Sequence, residues 1–193
     1  MDREARDYWR QQRRKNARRG PLIGGPLGDL PGTTVVLALM VVGYIIFLVP
    51  SASMAILSLP APGRDLVSSI YPGGFLGLVI NGFFVYVIGM QAEHLLEPWQ
   101  YVLSFILSGA FGAFSAGLFG PAFLATMGPL GLLGIISHAM WRNPMVAHNR
   151  ALTFVGFLLA LNFVLSGFSL PLLLGMVGAY LAGVVLTAAF SRS

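Results

Sequence analysis

The stretch INGFFVYVIGMQAEHLLEPWQYVLSFILSGAFGAFSAGLFGPAFLATMGPLGLLG, Ile80 to Gly134, decides how this chain folds. Two apolar runs and the start of a third are separated by Glu97-Pro98 and Gly120-Pro121, breakers that end one helix and open the next. Each run is about as long as the ~20 residues a helix needs to cross a bilayer. Within them the polar residues are few, and glycine and alanine recur at helical spacing.

The rest of the chain repeats this pattern. Hydrophobic residues make up 56% of the 193 and charged residues only 10%, with a mean hydropathy of +0.77. That balance excludes an ordinary soluble domain. In hydrocarbon every backbone polar group must be satisfied within helices or a closed barrel, and apolar runs this long fit helices rather than strands of about ten residues. The expected fold is therefore an all-α membrane protein, a bundle of six transmembrane helices. The spans are expected at Thr33–Leu57, Gly74–Leu95, Trp99–Leu118, Ala122–Trp141 and Ala151–Leu165, with a sixth following Pro171 and reaching Phe190. Residues 1–30 form a basic segment ahead of this domain, which occupies residues 31–193.

Charge sets the expected orientation. Seven arginines and Lys15 precede the first span, and Arg142, Arg150 and Arg192 fall on the same side of a six-span chain, leaving Arg64 alone on the other. Basic residues concentrate on the cytoplasmic side, so both termini are expected there, in a bacterial inner membrane. The N-terminal segment lacks the apolar core of a signal peptide. Its Arg10, Arg13, Arg14, Lys15, Arg18 and Arg19 suit anionic lipid headgroups, each worth about 1 kcal/mol near the surface, or an acidic partner, and no accompanying fold points to nucleic acid.

Cysteine is absent, which removes disulfides and thiolate chemistry together. His94, His138 and His148 have no ligand-spaced companions strong enough to predict a metal, and no cofactor is expected. The small residues say more. Helices in lipid associate through close backbone approach, and three runs supply it: Gly128, Gly131 and Gly134; Gly175, Ala179 and Gly183; and Gly109, Ala113 and Gly117. Asn81 is a polar amide inside a span and suits an interhelical hydrogen bond. Glu93 suits a cap or a loop contact, with Arg142 or Arg150 as expected partners.

In their order these features resemble the rhomboid family of intramembrane proteases. INGFFVYVIGMQAE is similar to that family's second helix, contributing Asn81, Gly89 and Glu93; LATMGPLGLLG resembles the opening of its fourth; and LGMVGAYLAG resembles its sixth. The resemblance implies six helices, cytoplasmic termini and a central fourth helix packed against the sixth. It also implies a serine-histidine dyad, and here the sequence departs. The nucleophile position falls on Thr126 or Met127, depending on which glycines are aligned, and the base position falls on Met176. A histidine that usually lies four residues before the asparagine is replaced by Gly77.

A hydroxyl nucleophile needs an adjacent base, and Met176 cannot take a proton. Asn81 and backbone N–H groups near Thr126 to Gly128 are what is left of an oxyanion site. The expectation is a catalytically inactive rhomboid-like protein that binds transmembrane segments of other membrane proteins, as a free protein or as a subunit of a larger complex. The alternatives are an intramembrane protease with an unusual site and a small structural subunit of a cofactor-bearing complex.

Overall fold

The computed structural model describes residues 30–93, 95–120, 126–142 and 169–190. The described residues form seven helices and no strands: α1 Pro31–Leu48, α2 Pro50–Leu57, α3 Ala61–Ser68, α4 Phe75–Ala92, α5 Pro98–Gly117, α6 Gly128–Arg142 and α7 Leu170–Phe190. Four of them, α1, α4, α5 and α7, are long and apolar enough to cross a bilayer. This is an all-helical membrane protein. The expected fifth span and the basic N-terminal residues lie outside the described residues.

Prolines place several of the starts. Pro31, Pro50 and Pro98 each stand at the first turn of a helix, where a missing N–H costs nothing and φ is already helical. Pro50 also corrects the first expected span. Val49 is extended, with φ −90° and ψ 111°, because a residue before proline is pushed out of the α region. One run from Thr33 to Leu57 therefore becomes two helices. At α5, Glu97 and Gln100 form a reciprocal capping box, and the Trp99 indole donates to Glu97 Oε2 at 2.7 Å. The Trp99 ring meets Phe190 edge-on, with centroids 5.7 Å apart, joining the start of α5 to the end of α7.

α6 is the centre of the bundle. Every residue from Gly128 to Ser137 is buried, and α6 packs against α4, α5 and α7. At 15 residues it is about 22 Å long, shorter than the ~30 Å hydrocarbon layer. The helix begins at Gly128, and Thr126 and Met127 are not helical; the expected start of the fourth span, Ala122, lies outside the described residues. Pro129 fits the first turn, where its missing N–H has no intrahelical acceptor to lose.

Glycine lets three helices meet at backbone distance. A Cβ on Gly183 of α7 would strike the Gly131 carbonyl of α6, and one on Gly134 would strike the Tyr180 carbonyl of α7. Gly131 in turn lies against Ser108 of α5. A Cβ on Gly175 of α7 would come within 2.7 Å of the Gly112 carbonyl of α5 and 2.8 Å of the Ala116 methyl. Ala179, fully buried, sits against Gly112 and Gly131. With no hydrophobic drive between helices in lipid, this close approach is what dispersion forces require.

Glu93 fastens α1 to α4. Leu30, the N-cap of α1, offers no side-chain cap. The Glu93 carboxylate, at the far end of α4, supplies one from outside: it accepts from the Gly32 N–H, from the Thr33 N–H at 3.0 Å and from the Thr33 hydroxyl at 2.7 Å. A carboxylate there satisfies orphan donors and complements the positive end of the helix dipole. Gly89, one turn earlier on α4, leaves space for Thr33, whose hydroxyl occupies the place a Cβ would take.

Candidate functional site

The positions singled out by the sequence gather at the start of α6. A helix beginning inside a bundle exposes its first N–H groups to a medium without water. Here each has an answer. The Gly128 N–H donates to Thr126 Oγ1 at 3.2 Å, Pro129 has no N–H, and the Leu130 N–H donates to the Met127 carbonyl at 3.1 Å. Thr126 thus works as a local cap. Its own N–H donates to the Tyr71 carbonyl at 2.6 Å.

The N–H groups of Thr126 and Gly128, among those expected near an oxyanion site, are therefore engaged within the protein. Thr126 and Met127 are only 7% and 3% exposed, and Met176 of α7 is 4% exposed. Met127 lies between α5 and α7. A Cβ on Gly112 would come within 2.9 Å of its sulfur, and one on Gly175 within 2.8 Å of its terminal methyl. Met127 and Met176 belong to the same apolar core cluster, together with Phe105, Leu130 and Ala179. Thr126, Met127 and Met176 are thus all buried, two of them thioethers in one apolar cluster.

The turn that meets Thr126 is the part sequence reasoning missed. Ser69 to Gly74 leaves the end of α3 and within six residues touches three helices and Thr126, two residues before α6. Ser69 packs on Gly109 of α5, where a Cβ would stand 2.9 Å from the serine Cβ; the Ile70 carbonyl packs on Gly43 of α1 at 2.6 Å by the same measure. Tyr71 stacks on Phe47 of α1, with centroids 4.0 Å apart and planes 25° from parallel, while its carbonyl holds Thr126. The Pro72 carbonyl accepts from Asn81 Nδ2 at 3.2 Å and presses on the Cα of Gly77, where a Cβ would collide with it. Gly73 and Gly74, with φ of 83° and 110°, complete the reversal into α4.

Gly77 and Asn81 are thus brought together on one carbonyl, and Asn81 is linked to Thr126 through the consecutive residues Pro72 and Tyr71. Any side chain at position 77, histidine included, would displace this turn. The signal was in the sequence, since Tyr-Pro-Gly-Gly is a strong turn motif; what it packs against was not. Before the turn, the buried Asp65 of α3 has Arg64 Nε 3.8 Å from its carboxylate. Burial pushes the Asp65 carboxyl above its ordinary value, and Arg64 opposes that rise.

Among the described residues, no three histidine, cysteine or acidic side chains gather as a metal site would require. Arg10, Arg13, Arg14, Lys15, Arg18 and Arg19 lie outside the described residues. No protein-family profile matches the chain, and no curated protein matches it.

Proposed function

We propose that this chain is a rhomboid-like membrane protein without protease chemistry, acting by binding transmembrane segments of other membrane proteins, alone or as a subunit of a complex. The observation that carries this reading is the packing at the start of α6. Thr126, Met127 and Met176, where the resemblance puts nucleophile and base, are all buried, the two methionines in one apolar cluster, and the turn from Ser69 to Gly74 meets Thr126 through the Tyr71 carbonyl.

In this reading the four long helices, the short α6 and the apolar segment Ala151–Leu165 make six spans. A helix buried from Gly128 to Ser137 and packed on α7 supports the resemblance. Both termini are then cytoplasmic, by the weight of basic residues on that side, in a bacterial inner membrane. The arginines of the N-terminal segment meet anionic headgroups. Client helices with small residues or weak helical preference suit a scaffold whose own contacts are backbone to backbone.

Two measurements test the reading. Purified protein in liposomes is incubated with several transmembrane substrates and with a fluorophosphonate probe; specific cleavage or labelling that disappears in Thr126→Ala would overturn it. Capture from native membranes in mild detergent is expected to return a defined integral membrane protein. A lone monomer under every condition would refute the binding role.

A further inference from the structure

α3 is held against α5 by its polar side. Asp65, Ser68 and Ser69 are buried while Leu66 is exposed, the reverse of a helix that docks through an apolar stripe. Neither hydroxyl serves the carboxylate: Ser68 donates to the Asp65 carbonyl at 2.7 Å and Ser69 to the Leu66 carbonyl at 2.6 Å. Among the described residues the charged group beside it is Arg64, whose Nε stands 3.8 Å away, beyond hydrogen-bond range. That Nε is itself buried without a partner. Consecutive residues of a helix do not face one another, so the pair is poorly placed to close into a hydrogen bond while α3 stays helical.

The helices packed on α3 are α5 and α2, and neither carries a charged side chain. The one titratable residue on either is Tyr101 of α5, buried about two turns before Gly109 and set against Gly32 of α1. Tyr71, in the turn that follows α3, is stacked on Phe47. These surroundings suit a neutral carboxyl: burial raises the Asp65 pKa, and Arg64 is the opposing influence. Ionised, Asp65 is a buried charge without a hydrogen-bonded partner, and the relief open to it is water outside the bundle.

The connections of α3 leave it room to move. No residue of α2 is buried, Pro60 ahead of α3 is extended, with φ −54° and ψ 150°, and Gly73 and Gly74 follow with positive φ. Displacing α3 from α5 lifts Ser69 off Gly109 and pulls on the Tyr71 carbonyl that holds the Thr126 N–H.

We propose that Asp65 is a proton-controlled latch: protonated, it keeps α3 seated on α5 and the Tyr71 carbonyl on Thr126, and on losing its proton it releases both. The latch stands on α3 and its neighbours alone and does not depend on what the protein binds.

The native chain has no cysteine, so spin labels need no background changes. Leu66→Cys with Leu107→Cys reports the distance from α3 to α5 in liposomes by pulsed electron resonance, and Phe83→Cys with Leu107→Cys is the reference pair within the bundle; all three positions are exposed. As pH rises above 3.8, the 66 to 107 distance is expected to shift to longer values while the reference pair holds. Asp65→Asn is expected to keep the short distance throughout. Arg64→Gln removes the opposing charge and is expected to move the transition to higher pH. A 66 to 107 distance independent of pH, the same shift in Asp65→Asn, a transition unmoved or lowered by Arg64→Gln, or an equal shift in the reference pair would each overturn the latch.

Discussion

Replacing Gly183 by alanine adds one methyl group where α7 crosses α6, directly against the Gly131 carbonyl. Neither partner can yield as a side chain could, because both are helix backbone. To accommodate the methyl, α7 must move outward, and the same movement opens the contacts of Gly175 with Gly112 and of Gly134 with Tyr180. Overpacking of this kind costs about 1–3 kcal/mol, and the upper end applies when backbone has to shift. Alanine regains up to ~1 kcal/mol of helix preference over glycine.

The net expectation for Gly183→Ala is a loss of about 1–2 kcal/mol, or roughly 2–8 °C in Tm for a chain of this size. Gly82→Ala is the matched control. It too lies mid-helix in a spanning segment, but its added methyl would meet only Leu37 Cδ2 at 3.6 Å, an ordinary contact. It is expected to be neutral or stabilising by up to ~1 kcal/mol. Thermal unfolding of both variants in one mild detergent, followed by near-ultraviolet circular dichroism, reads the difference. A Gly183→Ala protein as stable as Gly82→Ala would refute the backbone seam between α6 and α7.

The cap on α1 predicts that Glu93→Gln lowers stability by about 1–2 kcal/mol, while Thr33→Val, which removes one of three hydrogen bonds, costs about 1 kcal/mol. A double-mutant cycle by detergent titration should show the two coupled, and strict additivity would contradict the shared carboxylate. Asn81→Leu is expected to loosen the Pro72 turn by about 0.6 kcal/mol, read as faster hydrogen exchange at the Thr126 amide than at an amide in mid-α5. For Asp65 the sign follows from its raised folded pKa: the carboxyl binds its proton more tightly folded than unfolded, so its contribution is full below the ordinary value of 3.8 and is lost as pH rises through the folded one. Asp65→Asn should flatten the loss of stability as pH rises above 3.8, and an unchanged pH profile would show that the buried carboxyl is not responsible.

The helices were legible wherever a breaker coincided with the end of an apolar run. Pro98 and Gly117 bound α5 within a residue or so of the expected span, and Ala92 ends α4 just before the Glu97-Pro98 break. Hydrophobicity alone missed one boundary. It reads Val49-Pro50 as one more pair of apolar residues; backbone restriction of Val49 by Pro50 decided that point. The site was legible as a set of positions but not as contacts. Gly77, Asn81 and Thr126 were marked separately, and only the path of the Tyr71-Pro72 backbone joins them. Glu93 was recognised as a cap, yet its partners are the Gly32 and Thr33 amides, some sixty residues earlier in the chain. No local pattern encodes a contact over that separation.

The shortness of α6 also bears on how the protein is made. A helix of 15 residues with buried glycines on more than one face gains little from entering lipid alone, and its contacts with Tyr180 and Gly183 do not exist until α7 has been synthesised. The packing of α6 is therefore completed only when α7 has been made. Truncation before Leu170 would leave the ribosome-bound chain with its central helix unclaimed, a state a membrane quality-control protease could recognise.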